Sequence, residues 1–491
     1  AVVIDREIVT RRRKIRRMRV ELVATLTGHS DSVWCCSWSP DGRTLATCGT
    51  DKSIRLWTKP TPRSTPHTAN SQKPSSQAGD DYGGVNELQL QQQLEQEKQD
   101  QEKQNQDQEK QNQDQEKQNQ EQLVSAPPSD TVKCGEGGGG GTEAGAGWRC
   151  AMILTDGHSR TIRRVAWSPC GRTLASCSFD GSVCVWRRRR RRCRRGDDDD
   201  DETDDGDFEC TVTLEGHENE VKAVEFSPSG RYLATCSRDK TVWIWEQQQP
   251  QTQNASNRRS TTSSATEYGH VVDDQNDDDD DGDEFECVSV QSCHTQDVKC
   301  LRWHPKEDLL MSASYDNSIN LYRDEGDDWT CEFTATGHDS TVWAVDFDRD
   351  GERFVSASDD RTLRVWKRYA AGNQIGVPPA WRVVSTIQGF HPRPIYAVSW
   401  CPLTGLIASG CGDNAVRVFA PDPEQLTSAA ASSCEIEDAP VFTQAALVEA
   451  AHQRDVNSVA WNPKQAGLLA TASDDETVKL WQVVDYEPLL V

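Results

Sequence analysis

The chain has 491 residues and a formal net charge of −25, with 79 Asp and Glu against 54 Lys and Arg. Hydrophobic residues make up 35% and aromatics 7%, less than a chain folded throughout would carry, so part of its length is expected not to fold. No run of about 18 apolar residues occurs, which excludes a helical membrane span, and bulk acidity argues against broad, salt-driven nucleic-acid binding.

Residues 1–19 form a basic extension, and a lone basic run such as Arg11–Arg19 is weak evidence of a nuclear address. Val20–Leu26 reads as a strand. His29 then opens a unit of short alternating strands, Val33–Trp38, Leu45–Cys48 and Ile54–Trp57, with Ser39-Pro40-Asp41-Gly42 as a turn. Within it Asp51 follows His29 by 22 residues and Trp57 follows Asp51 by six. Residues 58–147 interrupt the pattern with a Gln-rich insert. Its seven-residue period over 96–121 places no apolar residue at a seam position, so a disordered tract is expected rather than a coiled coil.

The unit then returns six times. His158, Asp180 and Trp186 form the second copy, followed by an Arg/Asp-rich loop at 187–207. Eight of the nine residues Arg187–Arg195 are arginine, with Asp197–Asp201 directly behind. A solvated loop pairing its own charges is favoured there over a nuclear-import or RNA-binding patch. His217, Asp239 and Trp245 follow, then an acidic loop at 247–283 that lacks the glycine of an EF-hand. His294, Asp316 and Tyr322 are the fourth copy, His338, Asp360 and Trp366 the fifth, and His391, Asp413 and Phe419 the sixth. A polar loop at 421–445 precedes the seventh, His452, Asp475 and Trp481, whose first interval is 23 rather than 22.

Seven copies of this spacing resemble the WD40 repeat. The resemblance implies an all-β fold, a seven-bladed WD40 β-propeller over residues 20–491, with four strands and about 43 residues per blade once the inserts are removed. Val20–Leu26 should complete the blade built from Val456–Trp481. Each internal insert follows a closing aromatic, in the loop between third and fourth strands, so all four should emerge on the bottom face. The top face keeps short loops of constant length.

The chemistry expected of such a ring is binding. Of 18 cysteines none forms a Cys-x-x-Cys, and Cys48, Cys177 and Cys236 share one repeat position, so they read as packed thiols in a reducing compartment. No secretory signal segment is recognised. No phosphate-binding, zinc-protease or serine-hydrolase motif occurs, and the expectation is no catalytic residue, no cofactor and no metal. His, Ser and Asp recur once per blade, with Ser178, Ser237, Ser314, Ser358 and Ser473 two residues before their Asp. A triad needs one oriented nucleophile, so these groups read as buried networks ending on the Trp indole. Two positions per blade should face the channel mouth, five after each His and one before each Asp. Blades two to four there contribute Arg163 and Phe179, Lys222 and Arg238, and Lys299 and Tyr315, with Trp343 beside them: a cationic and aromatic patch suited to a carboxylate-bearing peptide.

Longer strings narrow the resemblance. Leu214-Glu-Gly-His-Glu-Asn-Glu-Val-Lys222, Ala234-Thr-Cys-Ser-Arg-Asp-Lys240, Val242-Trp-Ile-Trp-Glu246 and His294-Thr-Gln-Asp-Val-Lys299 look like the WD40 scaffold subunit of the cytosolic iron–sulfur protein assembly (CIA) machinery, as do Ser314-Tyr-Asp, Leu321-Tyr-Arg323 and Asp327-Asp-Trp329. That family implies a non-catalytic scaffold of the CIA targeting complex, which delivers [4Fe–4S] clusters to cytosolic and nuclear apoproteins. Implied partners are a small cysteine-bearing subunit, a large helical-repeat subunit and iron–sulfur apoproteins, with no direct nucleic acid and no membrane. The implied location is the cytoplasm, with the nucleus as a second compartment. Arg238 lies both in a family string and in the patch, and is ranked first, ahead of Lys222 and Arg163. Leu321-Tyr322-Arg323 also resembles a co-chaperone-recruiting tripeptide, but Tyr322 occupies the Trp position and should be buried. The rival readings are a nuclear WD40 adaptor for chromatin or transcription complexes and a ubiquitin-ligase substrate receptor. The absence of any Trp-Asp dipeptide counts against the latter.

Overall fold

A computed structural model describes residues 18–59, 147–188, 207–248, 284–326, 328–369, 380–422 and 441–486. Of the chain's two compact units, residues 62–140 lie wholly outside these ranges, and the fold belongs to the unit formed by 1–61 and 141–491. Most of the 1–19 extension, the Gln-rich heptads, the Arg/Asp run and the Asp277–Asp281 tract also fall outside the described residues, as do 370–379, where the sequence had suggested no insert.

Each described run supplies the three inner strands of one blade and the outer strand of the blade before it, and the seven four-stranded antiparallel sheets form the propeller that the repeat implies. The inner strands are β2 (Val33–Trp38), β6 (Ile162–Trp167), β10 (Val221–Phe226), β14 (Val298–Trp303), β18 (Val342–Phe347), β22 (Ile395–Trp400) and β26 (Val456–Trp461). Their apolar residues point into the seams between blades, and the second strands, such as β3 (Thr44–Gly49) and β11 (Tyr232–Ser237), are buried almost throughout. A strand buried on both faces needs small or apolar side chains at every position, which is why Leu-Ala-Thr-Cys recurs there. The Ser39 turn closes as read, with the Gly42 N–H donating to Ser39 O at 2.8 Å.

Neighbouring blades are stitched at the inner edge. The indole N–H of Trp38 donates to Ala460 O, of Trp167 to Ser37 O, of Trp303 to Glu225 O and of Trp461 to Ser399 O, all at 3.0–3.1 Å. The ring is closed as the sequence suggested. β1 (Arg19–Leu26) pairs antiparallel with β28 (Val478–Val484), Leu26 opposite Val478, so blade seven takes its outer strand from the start of the chain.

Two element boundaries differ from the sequence reading. β25 (Phe442–Val448) begins inside the 421–445 segment assigned to a loop, because Phe442 is buried and packs edge-on against Trp400. Third strands run past their closing aromatic: β8 (Val183–Arg188) carries two arginines of the basic run, and β12 (Val242–Gln247) and β24 (Val416–Pro421) likewise extend beyond Trp245 and Phe419.

Candidate functional site

The loops at the channel mouth are anchored from beneath by buried hydrogen-bond networks. In blade one His29 Nδ1 lies 2.8 Å from Asp51, its Nε2 lies 2.8 Å from Thr47 Oγ1, and the Trp57 indole N–H donates to the same hydroxyl at 2.9 Å. The donor inventory fixes the direction: the carboxylate only accepts, so Nδ1 carries the proton, Nε2 accepts from the hydroxyl, and the hydroxyl accepts from the indole. Blades two, three, five and seven repeat the chain: His158, Asp180 and Trp186 with Ser176; His217, Asp239 and Trp245 with Thr235; His338, Asp360 and Trp366 with Ser356; His452, Asp475 and Trp481 with Thr471. Burial pushes the Asp51 and Asp239 carboxyls up, yet the His, Ser or Thr and backbone donors around them outweigh it and hold both at about 2.

The hydroxyl in this chain stands four residues before the Asp, correcting the expectation that Ser178 and its counterparts belong to it. Those serines lie two before the Asp and tie the mouth loop instead: Ser178 Oγ donates to Arg160 O at 3.2 Å and accepts the Asp180 N–H at 3.1 Å. Blade four keeps the pattern with Tyr322, whose hydroxyl lies 3.2 Å from Ser312 Oγ. Tyr322 and Leu321 are fully buried, and Arg323 is held between Glu307 and Glu332, so the Leu-Tyr-Arg tripeptide is folded into the blade. Blade six breaks the pattern. Ala415 replaces the Ser or Thr that elsewhere donates to the Asp, and Arg417 takes Asp413 in a two-pronged pair at 3.1 and 2.6 Å. His391 keeps only its bond to Ser409, and its buried Nδ1 has no partner.

In all seven blades the residue before the Asp donates its backbone N–H to the carbonyl of the third residue after the His, as Arg238 does to Glu220 O at 3.0 Å. This brings the two expected positions together as a ring at the mouth, on the face opposite the C-terminal ends of the third strands. Arg163 stacks on Trp34 at 4.8 Å, and Trp34 donates its indole N–H to Thr50. Lys222 lies 3.9 Å above the Phe179 ring, and Lys299 lies between Tyr315 and Trp343 at 5.2 and 5.3 Å. Trp343 meets Tyr396 edge-on, and its buried indole nitrogen has no partner. Asn457 closes the circle by bridging Asp474 to Val33 O.

The patch of Arg163, Lys222, Arg238 and Lys299 with Phe179, Tyr315 and Trp343 is therefore contiguous, but two acids missed in the sequence reading sit within it. Glu220 pairs with Lys222 at 2.6 Å and also meets Arg160 and Arg238, while Asp297 pairs with Lys299 at 3.0 Å. Their signal was in plain view as Glu-Val-Lys and Asp-Val-Lys. Burial, followed by repulsion from Lys299 and Arg163, pulls the Lys222 ammonium down despite Glu220. The opposite arc is acidic: Asp359, Asp455 and Asp474 lie there, and burial with Asp474 alongside raises the Asp455 carboxyl. Beneath the mouth is a cavity of about 280 Å³, walled in part by Trp34, Arg163, Lys299 and Trp343. Below them Glu225 bridges Arg164 and Arg302, and Arg302 reaches Asp346. Among the described residues no group of three or more His, Cys, Asp or Glu side chains could hold a metal ion.

Seven segments of the chain match the family described as WD domain, G-beta repeat: residues 20–58, 148–187, 208–246, 285–323, 329–367, 381–420 and 445–482. The chain is 38% identical over 477 residues to a probable cytosolic iron–sulfur protein assembly protein Ciao1 of Culex quinquefasciatus, covering 96% of this chain and 99% of the relative. A Caenorhabditis elegans protein named as a probable cytosolic iron–sulfur protein assembly protein CIAO1 homolog is 37% identical over 337 residues, 68% of this chain and 82% of its own length. A Neurospora crassa protein named as probable cytosolic iron–sulfur protein assembly protein 1 is 31% identical over 420 residues, 67% of this chain and 85% of its own length.

Proposed function

The chain belongs to the WD40-repeat proteins and, among them, to the cytosolic iron–sulfur protein assembly proteins, and from that membership we propose that it acts as a non-catalytic scaffold in that process. It docks a small cysteine-bearing subunit and a large helical-repeat subunit and presents iron–sulfur apoproteins to them, with the [4Fe–4S] cluster as cargo. The relatives' names, cytosolic iron–sulfur protein assembly, support a cytosolic location for this role; they add nothing for the nucleus and do not favour a chromatin or ubiquitin-ligase adaptor.

The observation that carries the binding surface is the ring itself, fixed from beneath by the His–Asp chains and asymmetric in charge. Cations and aromatics over blades two to four suit a partner's carboxylate and aromatic side chain, while the acids over blades five to seven suit a cation on the same partner. Arg238 is the accessible member, its side chain 57% exposed and its contact to Glu220 long at 3.7 Å. An arriving carboxylate can take Arg238 without stripping Lys222 from Glu220. Exposed, weakly committed cations bind at low cost, whereas a cation already paired has to be freed first.

The test is to isolate the full-length chain from cells as wild type, Arg238→Glu and a rim control, Arg382→Glu, at matched expression and melting temperature. Loss of iron–sulfur apoproteins or assembly subunits from Arg238→Glu alone supports the mouth as the docking surface. Retention of all of them by Arg238→Glu moves the surface elsewhere. Their absence from the wild-type isolate overturns the scaffold reading.

A further inference from the structure

One register position, the first channel-side residue of the inner strand and its partner on the second strand, differs sharply between blades. It pairs Arg164 with Cys177, Ala223 with Cys236, Cys300 with Ala313, Ala344 with Ala357, Ala397 with Gly410 and Ser458 with Ala472. Only blade one has a thiol on both strands, Cys35 directly opposite Cys48. Directly opposed residues of antiparallel strands have Cα atoms about 4.5–5.5 Å apart, within the roughly 4.4–6.8 Å that a disulfide spans.

The two thiols differ in access. Cys35 is 6% exposed and lies on the cavity wall, whereas Cys48 is sealed at 0%. Two guanidiniums from the next blade, Arg163 and Arg164, flank Cys35, and its Sγ lies 3.7 Å from Val165 O. The Cys48 thiol, donating to Cys35, and those guanidiniums favour the Cys35 thiolate against the cost of burial, while burial and the Cys35 charge push Cys48 up. Cys36 faces the other way, with its Sγ 3.5 Å from Ser458 Oγ in blade seven, and burial pushes it up to about 12.

We propose that Cys35 and Cys48 are an oxidation site for small hydroperoxides entering through the channel, closing to a disulfide across blade one. The Cys35 thiolate attacks the terminal peroxide oxygen; the O–O bond breaks, and hydroxide or alkoxide leaves and takes a proton from water. Cys35 is then a sulfenic acid. The Cys48 sulfur attacks the Cys35 sulfur, the S–O bond breaks, and the hydroxyl departs as water with the Cys48 proton. Two thiols are oxidised and one peroxide is reduced, with no further co-reactant. Removing the sulfenic acid by this buried partner protects Cys35 from irreversible oxidation.

The full-length chain is treated with hydrogen peroxide, its free thiols are alkylated, and it is digested with trypsin without reduction and read by mass spectrometry. Cleavage after Arg19, Arg43 and Lys52 puts Cys35 and Cys36 on one peptide and Cys48 on another. The joined pair is expected in wild type and in Cys36→Ala, reverting on reduction, and absent in Cys35→Ala. Cys48→Ala, which installs the residue blades four, five and seven carry there, should instead accumulate sulfinic acid at Cys35, at least tenfold over wild type. A joined pair that survives in Cys35→Ala, or an unmodified Cys35 at peroxide levels that oxidise the exposed Cys210, overturns the proposal. Melting curves of each variant confirm that the ring is intact before oxidation.

Discussion

Replacing the blade-three histidine and the blade-six histidine by leucine should separate their contributions, because the two hold the same repeat position but are differently bonded. His217 donates to the Asp239 carboxylate at 2.7 Å and accepts from Thr235 at 2.9 Å. A hydrogen bond to a charged group is worth about 1.5–3 kcal/mol and a neutral one about 1, so His217→Leu should cost roughly 2.5–4 kcal/mol. His391 makes only the neutral bond, to Ser409 at 2.8 Å, and leucine also removes its unpartnered Nδ1, a buried polar atom that itself costs about 1–3 kcal/mol. The two effects offset one another, and His391→Leu should come within about 1 kcal/mol of wild type. For a folded region of this size a kcal/mol moves the melting temperature by about 2 °C, which gives a fall of roughly 5–8 °C for His217→Leu against 2 °C or less for His391→Leu. Differential scanning calorimetry at neutral pH makes the comparison. Equal falls in the two variants would show that the carboxylate bond carries none of the difference assigned to it.

Three more outcomes are expected. Burial, with Arg417 alongside, holds the His391 imidazole at about 3, so the unfolded chain takes up a proton below about pH 6.5 that the folded ring refuses. Stability should therefore fall as pH drops from 6.5 towards 4, and His391→Leu should recover up to about 3 kcal/mol of that loss by pH 4, read from urea unfolding across the range; an unchanged acid limb would count against it. Gly351→Ala should cost upwards of about 2 kcal/mol, because φ is +78° and the new methyl would lie 1.9 Å from His304 Nε2; Gly326→Ala, with φ +94° and open space around it, should cost about 1, and equal melting shifts would contradict the clash. Deleting residues 1–26 should expose Val478–Val484 to amide exchange first, since their outer partner is β1; protection unchanged there would mean that another segment covers the edge.

The fold was legible because its signals are redundant: seven spacings, each with a histidine, an aspartate and an aromatic, leave no freedom in the register. The mouth was legible only in part. Counting from His217 and Asp239 located Lys222 and Arg238, but it took their charge at face value, and Glu220 sits between the histidine and Lys222 on the same turn. The identity of the network hydroxyl was misplaced because Thr235 and Ser237 both precede Asp239 and share one face of the strand; only their distance along it sets Thr235 against the imidazole and Ser237 against the Asn219 carbonyl. Blade six looked intact by spacing, since His391 and Asp413 are 22 residues apart as elsewhere. The single methyl of Ala415, where its sisters have a hydroxyl, frees one carboxylate oxygen for Arg417. The opposed pair in blade one was likewise invisible, because Cys48 belongs to a recurrent string while Cys35 does not.

β1 precedes and β28 follows all the other strands of the propeller, and this sets an order on how the ring is made. Leu26 leaves the ribosome before its neighbour Val478, so β1 waits through the synthesis of every strand between them before it has a sheet to join. Until then blade seven lacks its outer strand and blade one a neighbour on one side, and the half-built ring presents open strand edges to solvent, the features that invite wrong pairings. Closure happens once, at the end, and converts an open arc into a circle in which every blade has two neighbours. Among the described residues this longest-range pairing is thus a timing device: the ring at the mouth cannot be complete before the strands of blade seven have been made.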